Sequence, residues 1–157
     1  MLRRPASIPR RAAAAVEFAV LSPFLVVLLL GLWEVGRLVE VSQTLNNAAR
    51  EGARQAATGQ LSNAQVQAVV LNYLASAGIP TQNATVTVND LTSPGADASA
   101  AAQMDRLQVT VTVPLSDVRW AALYLVTSPG TQLSGQATWL SLKDQDYPTT
   151  VTSPAGY

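Results

Sequence analysis

The chain has 157 residues and a mass of 16.5 kDa, with ten basic and ten acidic residues, no His and no Cys. This length allows one compact domain, or a small domain with an appendage. The absence of His and Cys excludes catalytic triads, the usual zinc sites, disulfides and cysteine nucleophiles. Most enzyme mechanisms are therefore excluded before any motif is considered.

The charges are unevenly distributed along the chain. Arg3, Arg4, Arg10 and Arg11 lie in the first eleven residues, which contain no acidic residue. The remainder carries six basic and ten acidic residues. A basic N-terminal segment followed by a weakly acidic remainder argues against nucleic acid as a partner. It favours a membrane protein with a defined orientation.

Residues 12–33 form a stretch of 22 residues whose only charge is Glu17. As an α-helix this stretch would be about 33 Å long, close to the ~30 Å hydrocarbon core of a bilayer. A cleaved signal peptide would need small residues after the apolar run, and residues 31–37 (GLWEVGR) lack that pattern. A buried core helix would rarely need the sixteen successive uncharged residues at 18–33. We therefore predict a retained transmembrane helix, with the arginines on the cytoplasmic side.

Beyond Trp33 the spacing of apolar and small residues predicts that the same helix continues to Ala57. Small residues recur every three or four positions, so a backbone or a sheet can approach the helix closely; they are Ala48, Ala49, Gly52, Ala53 and Ala56. Two i,i+3 pairs, Glu34–Arg37 and Glu51–Arg54, are expected on the solvated side.

The following segment predicts a second helix and about three strands. Ser62 or Asn63 is a credible N-cap, and Gly78 a stop, for the second helix. Alternation predicts strands at 84–89, 107–113 and 133–142, the second ended by Pro114 and the third with Leu133, Ala137 and Trp139 inward. Ser116 is expected to cap a short helix at 117–125.

The predicted fold class is α+β: a long membrane-spanning helix whose second half covers one face of a small antiparallel sheet. The expected organisation is a basic cytoplasmic leader (1–12), a transmembrane helix (13–33), a continuing amphipathic helix (34–57), an extracytoplasmic α+β domain (58–142) and a flexible tail (143–157).

Motifs for chemistry are weak. No phosphate loop, dinucleotide motif or zinc-protease motif occurs. Asp144 and Asp146 offer too few oxygen ligands for a convincing metal site, and a solvated pair is the preferred interpretation. Asn83 begins a short glycosylation sequon. Trp120 and Tyr124 form either a binding patch or, as we prefer, part of the core. We predict no enzymatic activity, no cofactor and no metal.

The N-terminal third resembles a known family. The resemblance lies in a basic, small-residue lead, in Ala-Val-Glu-Phe-Ala at 15–19, in Pro23, in Glu-Val-Gly-Arg at 34–37 and in Asn-Ala-Ala-Arg-Glu-Gly-Ala-Arg at 47–54. Together these elements resemble the TadE-like family, minor pilins or pseudopilins of tight-adherence (type IVb, Flp-type) pilus machines. Beyond residue 57 the chain resembles the family only in the order of its elements, a helix followed by strands.

The resemblance implies a processing site and an assembly role. Type IV pilin-like precursors are cut by a prepilin peptidase five residues before a glutamate, which places the bond between Ala12 and Ala13. Processed family members often have Gly where this chain has Ala12. The new amine of Ala13 would pair with Glu17 of a neighbouring subunit, offsetting the cost of a carboxylate near hydrocarbon.

The resemblance also implies the partners: other pilin-like subunits, pilus-assembly membrane proteins, a prepilin peptidase and the lipid bilayer. We expect the protein in the cytoplasmic membrane of a bacterium or archaeon, spanning it once, and incorporated in a pilus. The alternative hypothesis is a membrane-tethered binding module unrelated to pili. A membrane-bound enzyme is the least supported, because no cluster of convergent polar residues is present.

Overall fold

The structure is a computed structural model that describes residues 10–118 and 130–143. Helix α1 runs from Arg10 to Ala57, and helix α2 from Asn63 to Ser76. Strands β1 (Thr85–Asp90), β2 (Arg106–Pro114) and β3 (Gln132–Leu140) follow, with a 3₁₀ turn at Ala98–Ala100 and a short helix α3 at Leu115–Val118. The predicted α+β fold class is confirmed.

Helix α2 is bounded by the local signals that its sequence predicts. The Ser62 hydroxyl accepts from the backbone N–H of Gln65, and the Gln65 side chain accepts from the backbone N–H of Ser62, a complete capping box. At the other end Gly78 takes a φ of +73°, and Ile79 N–H donates to Leu74 O at 3.0 Å. A left-handed glycine therefore stops the helix, as expected.

The sheet has the order β1-β2-β3, and both pairings are antiparallel. Alternate residues of β2 are fully buried, and they are Leu107, Val109, Val111 and Val113. Their neighbours point to the opposite face, which is lined across the three strands by uncharged polar side chains: Thr85, Thr87, Asn89, Gln108, Thr110, Thr112, Ser134, Gln136 and Thr138. One face of the sheet is thus apolar and the other polar.

The second half of α1 packs on the apolar face at β2 and β3, and α2 packs on α1 and β1. The core between them contains Leu45, Val66, Val70 and Leu74 together with the buried valines of β2. The Ala-rich half of α1 therefore covers the sheet.

Three local predictions differ from the structure. Helix α3 begins at Leu115, so Ser116 lies within it and does not cap it, and residues 119–125 of the predicted helix lie outside the described residues. Strand β3 ends at Leu140, because Ser141 and Leu142 bond elsewhere. Trp139 shares the core-side face of β3 but is 41% exposed, and it borders an open cleft between β3 and α1.

Candidate functional site

The candidate site is α1 itself, because the described part of the chain places no layer over the most apolar stretch of its first half. Within the described residues, α1 is the one helix long and apolar enough to cross a membrane, and its most apolar 18-residue window is not buried at all. The exposed side chains point in all directions around the axis; they include Phe18, Leu21, Phe24, Val26, Leu29, Leu32 and Trp33. A helix that is apolar on every side fits a single-pass membrane anchor.

Pro23 lies inside this half, and the helix continues through it without a break. Proline has no N–H to donate to the carbonyl four residues earlier, which here is that of Ala19. The Ser22 hydroxyl donates to Ala19 O at 3.3 Å. The neighbouring side chain thus satisfies the carbonyl that Pro23 leaves free, which matters most where no water is available.

The predicted processing and assembly residues lie at the start of α1. Ala12 and Ala13 are exposed in its first turn, and Glu17 is exposed about one turn later. Within the described residues Glu17 makes no ion pair. Its carboxylate is therefore open to a partner from outside the chain, while the structure itself supplies none.

The Glu34–Arg37 pair that was predicted just after the apolar half of α1 is not present. Arg37 does not pair with Glu34: its Nη1 binds Glu40 Oε2 at 2.9 Å, and its Nε donates to Val118 O at 3.4 Å. Glu34 is only 7% exposed, and both of its carboxylate oxygens are buried with no hydrogen-bond partner among the described residues. Arg37 instead ties α1 to the end of α3, where Leu115 and Val118 are buried.

The second predicted pair is present. Arg54 binds the Glu51 carboxylate through Nε at 3.0 Å and Nη2 at 2.7 Å, and Gln55 donates to the same carboxylate. The hydrogen bond from Arg54, followed by that from Gln55, lowers the pKa of Glu51. Both partners lie on the exposed side of the helix, so this pair adds little to stability.

The five small residues of α1 all lie in the core of the chain: Ala48, Ala49, Gly52, Ala53 and Ala56. A Cβ at Gly52 would overlap Cγ2 of Val70 and would lie 3.2 Å from Cγ1 of Val109. α2 and the sheet therefore approach α1 closely at this point. The surface that these residues provide is used within one chain and is not left free for a second subunit.

A second close contact was not predicted from the sequence. A Cβ at Gly135 of β3 would overlap the backbone of Leu45 and Asn46. Asn46 also binds this strand, since its Oδ1 accepts from Gln136 N–H at 3.3 Å while its Nδ2 donates to Ser42 O at 2.9 Å. The signal in the sequence was a lone glycine in the middle of a strand, which marks close backbone approach.

Other predicted candidates contribute little to a site. The Asn83 amide donates to Asp117 Oδ2 at 3.0 Å, so this side chain has a structural contact. Asp144, Asp146, Trp120 and Tyr124 lie outside the described residues. In the described part of the chain no group of three or more acidic residues could hold a metal ion.

Comparison with protein families gives one match. Residues 12–54 match the family described as TadE-like protein. No curated protein and no solved structure matches the chain. The family resemblance is therefore confirmed for residues 12–54, which comprise the exposed apolar half of α1 and most of the half that packs on the sheet.

Proposed function

We propose that this protein is a single-pass membrane subunit, a pseudopilin or minor pilin, of a tight-adherence (type IVb) pilus or a related secretion machine. Its role is structural and not catalytic. The observation that carries the proposal is the division of α1 into an exposed apolar half and a half packed under the sheet. The TadE-like match covers both halves, so it spans this transition.

The proposed topology follows from charge and length. The four arginines before residue 12 stay in the cytoplasm, residues 13–33 cross the cytoplasmic membrane, and the α+β domain lies outside. The basic-to-apolar order supports this orientation. Protease added to the outside of intact spheroplasts is expected to remove the outer domain and leave a short membrane-embedded fragment. A domain protected from protease would contradict the topology.

In this proposal Glu17 directs assembly. A charged side chain at the centre of a membrane helix costs about 2.5–3.5 kcal/mol on insertion scales, and less near the end of the span, where Glu17 lies. Pairing with the amine of Ala13 from a neighbouring subunit, after cleavage of the Ala12–Ala13 bond, would offset that cost. The partners are then other pilin-like subunits, pilus-assembly membrane proteins and a prepilin peptidase.

The Glu17→Gln variant tests this role. We expect the outer domain to fold normally, because Glu17 lies in the exposed apolar half of α1, away from the core of that domain, while the amount of protein recovered with assembled pili falls severalfold. Glu40→Gln is the matched control, since Glu40 lies on the same helix outside the apolar half and a glutamine oxygen can still accept the hydrogen bond from Arg37. Equal pilus output from Glu17→Gln and wild type would contradict the assembly role.

The intact mass of the mature protein separates this proposal from the tethered binding module. A chain that begins at Ala13 supports the pilin-like route, because only processing frees the amine that Glu17 would bind. A chain that keeps Met1 supports the tether, in which the helix only holds the outer domain at the membrane.

A further inference from the structure

Asn83 begins a sequence motif that the proposed assembly role does not use. Of the six asparagines in the chain, it is the one followed two positions later by a hydroxyl residue, Thr85, with Ala84 between them. Asn-X-Ser/Thr is the acceptor pattern for N-linked glycans in proteins that leave the cytoplasm. The pattern is short and also arises by chance, so the positions of the two side chains in the fold decide whether it can be used.

The fold places the sequon on a turn at the surface of the outer domain. Ala84 N–H donates to Thr81 O at 3.2 Å, which closes a β-turn that contains Asn83. Thr85 then begins β1, which is an edge strand because the order of the sheet is β1-β2-β3. An enzyme can approach a turn at the edge of a sheet more readily than a segment within a helix or a central strand.

Both side chains that define the sequon are exposed to solvent. Asn83 is exposed in the turn, and Thr85 is exposed on the polar face of the sheet, opposite the core. The next residue, Val86, points into the core instead. An oligosaccharide on Asn83 would therefore extend into water and would displace no part of the core.

Asn83 makes one hydrogen bond that a glycan would leave in place. Its Nδ2 donates to Asp117 Oδ2 at 3.0 Å, at the exposed surface of the domain. A carboxamide nitrogen carries two hydrogens, and attachment of a sugar replaces only one of them. The remaining N–H can still donate to Asp117, so the observed hydrogen bond does not exclude the modification.

The same hydrogen bond locates Asn83 near the end of the domain that faces the membrane. Asp117 belongs to α3, and Arg37 of α1 donates to Val118 O of that helix at 3.4 Å. In the proposed topology Arg37 lies one helical turn beyond the end of the span at Trp33, which is about 6 Å along the axis. The sequon therefore lies close to the outer surface of the membrane, where a lipid-linked sugar donor would be held.

We propose that Asn83 is a glycosylation site that receives an oligosaccharide from a polyprenyl-pyrophosphate donor outside the cytoplasm. Nδ2 of Asn83 forms a bond to the anomeric carbon of the sugar, the bond from that carbon to the pyrophosphate oxygen breaks, and one proton leaves Nδ2. The polyprenyl pyrophosphate departs with the electron pair of the broken bond. Thr85 supplies the hydroxyl by which a membrane-bound transferase recognises the sequon. The proposal rests on the topology in the proposed function, because donor and outer domain must lie on the same side of the membrane.

Mass spectrometry of the protein purified from the membranes of its native host tests the proposal. We expect the proteolytic peptide that contains Asn83 to carry an oligosaccharide on that residue. Asn83→Gln and Thr85→Val are each expected to abolish the modification, whereas Thr85→Ser keeps most of it. Valine is β-branched like threonine and suits a strand, so a loss of the glycan in Thr85→Val reports the missing hydroxyl and not a change in the fold.

Asn89→Gln is the matched control, because Asn89 is an exposed asparagine of the same strand that is followed two positions later by Leu91 and not by a hydroxyl residue. It should leave the modification unchanged. Asp117→Ala separates the structural contact from the modification, since it removes the hydrogen bond to Asn83 while the glycan should remain.

Protease treatment of intact spheroplasts from the same cells distinguishes failure of this proposal from failure of the topology. An unmodified Asn83 in a protein whose outer domain is cleaved from outside would overturn the glycosylation and leave the topology standing. A domain protected from protease would overturn both. A glycan that persists in Asn83→Gln would also overturn the proposal, in favour of sugars linked to hydroxyl groups on the polar face of the sheet.

Discussion

The two halves of α1 are one continuous helix in two different surroundings. Val26 in the first half is 53% exposed, while Leu45 in the second half is completely buried. The backbone geometry is the same, so the difference lies in the side chains and in what packs on them. Large apolar residues surround the first half on all sides, whereas small residues form one stripe along the second.

The two halves of α1 therefore need different surroundings to bury their apolar side chains. The stripe of alanines with Gly52 is matched by one sheet and one helix of the same chain, and so it completes a core. The first half has no preferred side, so a single neighbouring element would leave most of it in water. Only a surrounding apolar phase, such as lipid or a bundle of other helices, buries such a surface.

The largest expected effect contrasts a leucine from each half. Leu45→Ala should lower the free energy of unfolding of the outer domain by about 2–5 kcal/mol, because it leaves a cavity in a filled core. Leu29→Ala, in the exposed half, should leave it unchanged. Amide hydrogen exchange of Val109 and Val111 in β2 measures this free energy directly. Equal losses in the two variants would contradict the division of α1.

A smaller effect is expected at the closest contact between α1 and the sheet. Gly135→Ala places a methyl group against the backbone of Leu45, which can yield only if the helix and strand separate, and we expect a loss of about 1–3 kcal/mol. Gly36→Ala is the control, since a Cβ there meets nothing within 4 Å. In a helix this change should instead stabilise by about 0.5–1 kcal/mol. Thermal unfolding of both variants in detergent measures whether Gly135→Ala lowers the stability and Gly36→Ala raises it. A Gly135→Ala variant as stable as wild type would show that β3 is not held against α1.

The smallest effect concerns the start of α2. Hydrogen bonds from the Ser99 side chain, then from the backbone N–H groups of Asn63 and Ser99, lower the pKa of Asp97. A lowered folded-state pKa means that its contribution to stability is present at neutral pH and is lost as the pH falls below about 4. Asp97→Asn should therefore lower the Tm slightly at pH 7, with a difference from wild type that disappears in acid.

The matched variant for Asp97 is Ser99→Ala, which removes the first of these hydrogen bonds from the other side. It should also lower the Tm slightly at pH 7, and this difference from wild type should also shrink as the pH falls below about 4. A Tm difference between Asp97→Asn and wild type that persists undiminished at low pH would contradict the assignment to the ionised carboxylate.

Much of the fold could be predicted because its signals are local. Ser62 and Gly78 bound α2 through contacts with residues only a few positions away, and the alternation in β2 reports burial on one face. The Glu51–Arg54 pair was predicted for the same reason, since i,i+3 geometry belongs to any helix. Glu34–Arg37 satisfies the same spacing, yet Arg37 turns to Glu40 and Val118, because α3 packs nearby.

The residues of the candidate site also include some that have a local sequence signal and some that do not. Glu17 and the apolar run are evident from the sequence, because a charged residue within a long apolar stretch is unusual whatever the tertiary structure. Trp139 alternates correctly in β3, but its 41% exposure depends on how closely α1 packs against that part of the strand.

The sequence by itself determined a helix that continues from an apolar run into a stripe of small residues, together with the positions of α2 and β2, because propensity, capping and periodicity act over a few residues. Only the tertiary structure decided that β3 lies against Leu45 at Gly135 and that Asn46 and Ala57 of α1 accept hydrogen bonds from Gln136 and Leu142. Contacts between residues some ninety positions apart depend on how closely two surfaces fit, and no local pattern records that distance.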